Sequence, residues 1–149
     1  MNSATPFLPS TKSSKAWARL VAFGCTRKKF SPAAADPQLV ALRDAGTRCV
    51  AVVAKSHEFH VTEVLRVPLE EGIAMVADSV AFLKNNHRDT GRGDEALECV
   101  STGGVACPSS REVMVDLEHF FDGFKANPTY SLAVCAAARD AGADCLVLW

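Results

Sequence analysis

The sequence predicts an α/β fold with a parallel sheet, and three observations support this prediction. Short, wholly apolar runs that are typical of buried strands recur along the chain. Stretches in which apolar residues repeat at three- and four-residue steps lie between them and predict amphipathic helices. The order strand, helix, strand, helix is that of right-handed βαβ units, in which the strands are parallel. A chain of 149 residues is long enough for one domain with a sizeable core.

The elements can be placed in chain order from their patterns and their end signals. Asp36 is predicted to cap a helix that has Pro37 in its first position and ends at Gly46. The first strand is expected to be buried, and the last helix is expected to pack through a face of Leu132, Ala133, Ala136 and Ala137. The predicted strands are Ala18–Phe23, Cys49–Ala54, a run centred on Val113–Val115, and Cys145–Leu148. The predicted helices are Pro37–Ala45, Glu70–Lys84 and Pro128–Asp140.

Composition excludes several classes of function. A net charge of −1 gives no electrostatic case for nucleic-acid binding, and no apolar run approaches the roughly 18 residues of a membrane span. The six cysteines form neither a C-x-x-C pair nor a zinc-binding spacing. Cys49, Cys135 and Cys145 lie within apolar patterns and are predicted to be reduced core residues. This favours an intracellular location, either cytoplasmic or organellar.

Two carboxylates mark the end of the third strand. Side chains alternate along a strand, so Met114, Asp116 and Glu118 share one face. Carboxylates at the carboxyl end of a buried strand are costly unless they are paired or used in function. They could also cap the next helix or pair with basic residues on a rim, and the residues alone leave both interpretations open.

Polar residues also follow the second strand. Lys55 shares a face with Val53, and it could hold the carboxylate of an acidic substrate, hold a neighbouring carboxylate, or be a rim lysine. His57 and His60 are expected in a loop, with no second histidine at ligand spacing on one element. A single histidine such as His60 is more often a helix-start or core residue than a ligand.

Three blocks of sequence resemble one enzyme family. They are EHFFDG-x-KANP-x-Y at Glu118 to Tyr130, ARLVAFGCTR at Ala18 to Arg27, and the stretch from Gly46 to Lys84. The chain is similar to citramalate synthases, which belong to the 2-isopropylmalate synthase and pyruvate carboxyltransferase family of the HMG-CoA lyase-like superfamily. The resemblance implies a partial (β/α)8 TIM barrel of about four consecutive βα units, barrel strands 3 to 6, within residues 18–149.

The resemblance also implies a chemistry. Family members condense acetyl-CoA with a 2-keto acid, pyruvate or 2-ketoisovalerate, in branched-chain amino-acid biosynthesis, with Mg²⁺ or Mn²⁺ as cofactor. Glu118 matches the family's substrate-site glutamate and is the candidate catalytic residue. Asp116 matches a pocket-lining position, and Lys55 and His60 match positions at the end of the fourth strand, so these three are candidate substrate-binding residues.

The family's metal ligands lie on elements that are not matched in this chain. They are an aspartate on the first barrel strand, an H-x-H pair on the seventh and a nearby asparagine. The strand at Cys145–Leu148 also lacks the family's C-D-T-N-G-G continuation. The chain is therefore expected to hold no metal ligands and to be inactive alone, although its parent family is enzymatic. Arg27, Lys28 and Lys29 form a basic cluster that could meet the phosphates of coenzyme A or simply be solvated.

Two segments do not fit the resemblance. Residues 1–17 are expected to be unstructured or unrelated; their bias towards Ser, Thr, Pro and Lys also fits a transit peptide, although truncation is the stronger interpretation. Residues 88–110 have no sustained period and are expected to be a disordered insert, from a retained intron or a gene-model error.

Two other functions compete with an incomplete acyltransferase. One is a non-catalytic α/β half-barrel that self-associates, as a homo-oligomer, or binds a partner through exposed sheet edges. The other is a metal-dependent C–C lyase of the HMG-CoA lyase type, against which the EHFFDG motif argues because it is found with the synthases.

Overall fold

The computed structural model describes residues 20–85 and 111–149, which form a four-stranded parallel sheet with helices. The segments expected at residues 1–17 and 88–110 lie outside the described residues. The strands are β1 Val21–Cys25, β2 Cys49–Lys55, β3 Glu112–Glu118 and β4 Cys145–Leu148. The α-helices are α1 Pro37–Asp44, α2 Leu69–Asn85, α3 Phe120–Ala126 and α4 Pro128–Asp140, with a 3₁₀ helix at Ala33–Ala35 and a π-helix at His60–Leu65.

The strands follow chain order across the sheet, as β1-β2-β3-β4, and every pair is parallel. This arrangement confirms the predicted α/β class. It is compatible with part of a TIM barrel, in which consecutive strands are also neighbours. The assignment to barrel strands 3 to 6 stays a prediction.

One face of the sheet forms the core with the helices. Alternate residues of β2 and β3 are buried on this face, and they cluster with buried side chains from α1, α2 and α4. The members of this core on the two strands are Val50, Val52, Ala54, Val113, Val115 and Leu117. The opposite face of the sheet carries Lys55, Asp116 and Glu118 and is only partly covered.

The prediction that the first strand is buried is wrong. Phe23 is 64% exposed, and Val21 and Cys25 on the same face are exposed too. The reason is that β1 has a single neighbour in the sheet and that these residues lie on the face without helices. Apolar periodicity identifies a strand, but it does not show which strand lies at the edge.

The predicted starts of α1 and α4 are confirmed, but the predicted packing face of α4 is wrong. Asp36 caps α1 through bonds from two backbone N–H groups, and Asn127 caps α4 through Tyr130 N. Leu132 is 53% exposed. The residues that α4 buries lie on a different face of the helix, at Tyr130, Ser131, Val134 and Ala138.

Two short elements were not predicted. His60 was expected in a loop, but it begins the π-helix, which packs the buried Val61 into the core and ends at Arg66 with φ +56°. The short α3 begins two residues after β3 ends, within the EHFFDG motif, and extends beyond that motif to Ala126. Both elements depend on tertiary contacts, because neither is long enough to form an amphipathic repeat.

The chemistry of the thiols agrees with the sequence analysis. Within the described ranges, Cys25, Cys49, Cys135 and Cys145 are free. Of the three cysteines predicted to lie in the core, Cys49 is buried, whereas Cys135 and Cys145 are only half-buried. In the same ranges, no helix combines the length and apolar character needed to cross a membrane.

Candidate functional site

The candidate site lies at the carboxyl ends of the two central strands. Lys55 and Glu118 are the last residue pair in the β2–β3 register, and Asp116 is paired with Val53 two positions earlier. Because all three polar side chains occupy the face of the sheet that is free of core helices, the fold brings them together. The carboxyl ends of parallel strands are where α/β proteins place their active sites.

Lys55 and Glu118 form an ion pair between Nζ and Oε2. Their side chains are 33% and 22% exposed, so the pair is partly shielded from solvent. The hydrogen bond from Lys55 lowers the pKa of Glu118 below its ordinary value of 4.5, against a smaller opposing effect of burial. Glu118 is therefore ionised at neutral pH. Of the alternatives left open by the sequence, Lys55 holds the carboxylate of its neighbour in this structure.

Asp116 contributes a buried carboxyl oxygen to the candidate site. Its Oδ1 is buried and accepts no hydrogen bond from the described residues. Buried acceptors are nearly always satisfied, so an unsatisfied one marks a place where a ligand or water donates. The position of this oxygen suits the predicted substrate-binding role of Asp116, which no direct observation tests.

The predicted substrate-binding residue His60 belongs to a cluster of histidines. Its ring lies 4.7 Å from the ring of His119 and 5.2 Å from that of His57, between centroids. Burial lowers the pKa of His60, and the neighbouring His119 adds to this effect. His60 is therefore neutral at neutral pH, and its buried Nδ1 has no partner within the described part of the chain.

Sequence analysis missed His119. It follows Glu118 with φ +56°, a conformation that is uncommon for residues other than glycine, and its Nε2 lies 4.0 Å from Glu118 Oε1. A possible signal was its place inside the EHFFDG motif, directly after the candidate catalytic residue.

Arg27 does not serve as a phosphate-binding residue here. Its guanidinium is buried and bonds to Glu71 and Asp78 at 2.8 Å each, while its backbone N–H donates to Ser79 Oγ. Of the two interpretations of the basic cluster, neither fits Arg27, because it is neither solvated nor available. Lys29 donates to the carbonyl of Leu65.

The described residues do not form a binding site for the divalent metal that the family resemblance implies. Across residues 20–85 and 111–149, no group of three or more His, Cys, Asp or Glu side chains is arranged to hold a metal ion. Asp116 and Glu118 offer oxygen donors on one face, but Glu118 is already paired with Lys55. No catalytic step on these residues is therefore derived through a metal.

Comparison with known proteins identifies related enzymes. Over 131 residues, or 88% of this chain, it is 44% identical to the (R)-citramalate synthase of Streptomyces coelicolor. It is 38% identical to that of Aquifex aeolicus and 37% identical to that of Synechocystis over the same length. No family model matches the chain.

The match covers a small part of these relatives. The chain spans about 20% of the length of each of the three relatives.

Proposed function

We propose that this chain, which is a partial sequence of the citramalate synthase family, forms part of the active site of an acyltransferase that condenses acetyl-CoA with a 2-keto acid. The keto acid would be pyruvate or 2-ketoisovalerate, and the reaction would serve isoleucine or leucine biosynthesis. One observation carries the proposal. An ionised glutamate is held by a lysine at the carboxyl ends of adjacent parallel strands.

Such a condensation needs a base near the acetyl group. The base takes a proton from the acetyl methyl, and that carbon then forms a bond to the carbonyl carbon of the keto acid. The electron pair of the C=O π bond moves to the carbonyl oxygen, which takes up a proton and becomes a hydroxyl group. Water subsequently cleaves the thioester and releases the thiol of coenzyme A. We assign the proton-accepting role to Glu118, because its carboxylate is ionised at neutral pH and only partly exposed.

Lys55 links substrate binding to the strength of this base. Paired with Lys55, Glu118 is a weak base because its pKa is lowered. The carboxylate of an incoming keto acid competes for the same ammonium group. Once Lys55 turns to the substrate, Glu118 loses the hydrogen bond that lowers its pKa and becomes a stronger base.

Asp116 and His60 complete the polar wall of the proposed site. Each has a buried polar atom without a partner among the described residues, Oδ1 in Asp116 and Nδ1 in His60. The Oδ1 atom of Asp116 can accept a hydrogen bond, and the neutral imidazole of His60 can either donate or accept one. We assign both residues to substrate binding.

The test is a thiol-release assay on two proteins. The 149-residue chain alone, given acetyl-CoA, either keto acid and Mg²⁺, is expected to release no thiol because the residues described provide no metal seat. The second protein is the Streptomyces coelicolor relative with its matched segment replaced by residues of this chain. It is expected to be active, and Glu118→Gln in it should lower kcat by about 10²–10⁴-fold.

Matched variants separate a catalytic role from a structural one. Glu112→Gln removes a carboxylate at the opposite end of the same strand and the same face, and should leave kcat within about twofold. Lys55→Met should mainly raise KM for the keto acid. The proposal fails if the Glu118 variant keeps the kcat of the unmodified hybrid protein, or if the 149-residue chain alone releases thiol in the presence of Mg²⁺.

A second candidate function is a non-catalytic module that self-associates. The observation that favours it is the exposure of apolar side chains on the edge strands, among them Phe23 on β1 and Val147 on β4. A hybrid protein that folds but has no activity, together with a 149-residue chain that forms stable oligomers in sedimentation experiments, would support this candidate instead.

A further inference from the structure

We propose that Ser56 is a positioning residue that fixes Glu118 relative to Lys55, and that two hydroxyls of helix α4 hold Ser56 in place. The inference rests on the proposed function, since it concerns the same carboxylate. It adds residues that the resemblance to the family did not single out as part of the site.

Ser56 ties the two strands together just beyond their last register pair. The β2–β3 ladder ends at Lys55 and Glu118. Ser56 is fully buried, and its Oγ donates a 2.8 Å hydrogen bond to the backbone carbonyl of Glu118. This bond links a side chain following one candidate residue to the backbone of the other, so it acts as an additional rung of the ladder.

Helix α4 holds the backbone of Lys55 and Ser56 in place from the core side of the sheet. Ser131 Oγ donates to the carbonyl of Ser56 at 2.8 Å, and Tyr130 OH donates to the carbonyl of Lys55 at 3.2 Å. Both residues are buried. Burial raises the pKa of Tyr130, so its hydroxyl stays protonated and able to donate. Asn127 holds this first helical turn in place by accepting a hydrogen bond from Tyr130 N.

Helix α3 packs closely against the backbone of Ser56 and His57. A Cβ on Gly123 would lie 2.6 Å from the carbonyl oxygen of Ser56 and 2.8 Å from the Cα of His57. Only glycine allows such an approach between two backbones. The backbone of Ser56 is therefore enclosed by α3 and α4, and its side chain is bonded to β3, which leaves the residue little freedom to move.

A purely structural explanation also exists. Buried backbone carbonyls require donors, and the serine and tyrosine hydroxyls supply them whatever the function of the strand ends. The two explanations differ in what they predict for Glu118. A loss of stability alone leaves the pKa of Glu118 unchanged in the folded protein. A loss of positioning weakens its bond from Lys55 and lets that pKa rise.

The experiment is a ¹³C NMR titration of the glutamate carboxyl groups in the 149-residue chain, with Glu118 assigned by its loss in Glu118→Gln. Ser56→Ala is expected to raise the pKa of Glu118 toward its ordinary value of 4.5. The matched control is Ser79→Ala. Ser79 is equally buried and its hydroxyl also bonds to the backbone, at Met75 O, but it lies in α2 away from the pair. It should leave that pKa unchanged.

A second pair of variants covers the case in which Ser56→Ala does not fold. Ser131→Ala should shift the pKa of Glu118 in the same direction, and Ser131→Thr, which keeps the hydroxyl, should restore it. An unchanged pKa in Ser56→Ala, or in Ser131→Ala where the first variant does not fold, overturns the inference. The readout needs no turnover, so its failure is distinct from failure of the proposed function, which the thiol-release assay detects.

Discussion

The ion pair between Arg27 and Glu71 provides the most direct test of how this fold is held together. Arg27 Nη1 lies 2.8 Å from Glu71 Oε1, and their side chains are only 6% and 16% exposed. Glu71 also accepts a 2.8 Å hydrogen bond from Phe30 N. The pair therefore connects the loop after β1 to the first turn of α2. The perturbation is Glu71→Gln, which keeps the shape and removes the charge.

The expected loss of stability can be worked out from these contacts. Removing one partner from a buried ion pair costs about 3–5 kcal/mol. Two features reduce this value here. The glutamine carbonyl can still accept hydrogen bonds, and Arg27 keeps a bond to Asp78, which is 53% exposed. We therefore expect a loss of about 2 kcal/mol in the free energy of unfolding. For a chain of this size that corresponds to a decrease of roughly 4–8 °C in Tm.

The assay is urea denaturation of both proteins, with the midpoint and the slope compared. Glu70→Gln is the matched control, because it makes the same change on an exposed neighbour in the same helix. It should alter stability by less than about 0.5 kcal/mol. If Glu71→Gln is no more destabilising than Glu70→Gln, the reasoning from burial and distance is wrong.

The pH dependence gives the same test a second readout. The hydrogen bond from Arg27 lowers the pKa of Glu71 in the folded state below its ordinary value of 4.5. The stabilisation is therefore complete above pH 4.5 and is lost as the pH falls through the lower folded value. A protonated glutamic acid resembles glutamine, so the difference between the two proteins should shrink in acid. A difference that stays constant down to full protonation would contradict an electrostatic origin.

Two further substitutions test helix starts and close packing near the site, again by urea denaturation. Asp36 is buried and accepts hydrogen bonds from three backbone N–H groups, one of them that of Lys28. Asp36→Ala should therefore lower the free energy of unfolding by about 2 kcal/mol, and Asp36→Asn should lower it by less. Equal losses in the two variants would contradict a role for the charge. Gly123→Ala places a Cβ 2.6 Å from the carbonyl oxygen of Ser56 and should cost about 1–3 kcal/mol. Gly46→Ala is the control, because a Cβ at Gly46 would meet no atom within 4 Å. Its φ of +69° should cost only about 1 kcal/mol in the free energy of unfolding. A smaller loss for Gly123→Ala than for Gly46→Ala would refute the packing argument.

Local signals explain why much of the fold could be predicted. The N-caps Asp36 and Asn127, each followed by a proline, fix the starts of α1 and α4 within a few residues of chain. Predominantly apolar runs identified all four strands, although β1 proved to be exposed at the edge of the sheet. The π-helix and α3 gave no such signal, because neither spans enough turns to show a period.

The candidate site was predicted only in part. Glu118 and Asp116 were assigned to one face by alternation, and the geometry agrees, but their roles stay predictions. The contact of His60 with His119 could not be foreseen. It depends on a left-handed backbone at His119 and on the turn that follows β2. The resemblance to citramalate synthases is confirmed, at 44% identity to one relative, and this match covers about a fifth of that relative's length.

Local patterns were sufficient to predict the strands, most helix ends and which polar residues follow the strands, because alternation, helical period and capping act between residues that are close in the chain. The tertiary structure alone decided that β1 is an exposed edge, that Arg27 is buried by acidic partners, and that Lys55 meets Glu118. These contacts join residues far apart in the chain, 63 positions in the last case. Their geometry is set by the β2–β3 register and by how the helices pack on the sheet, which no local pattern encodes.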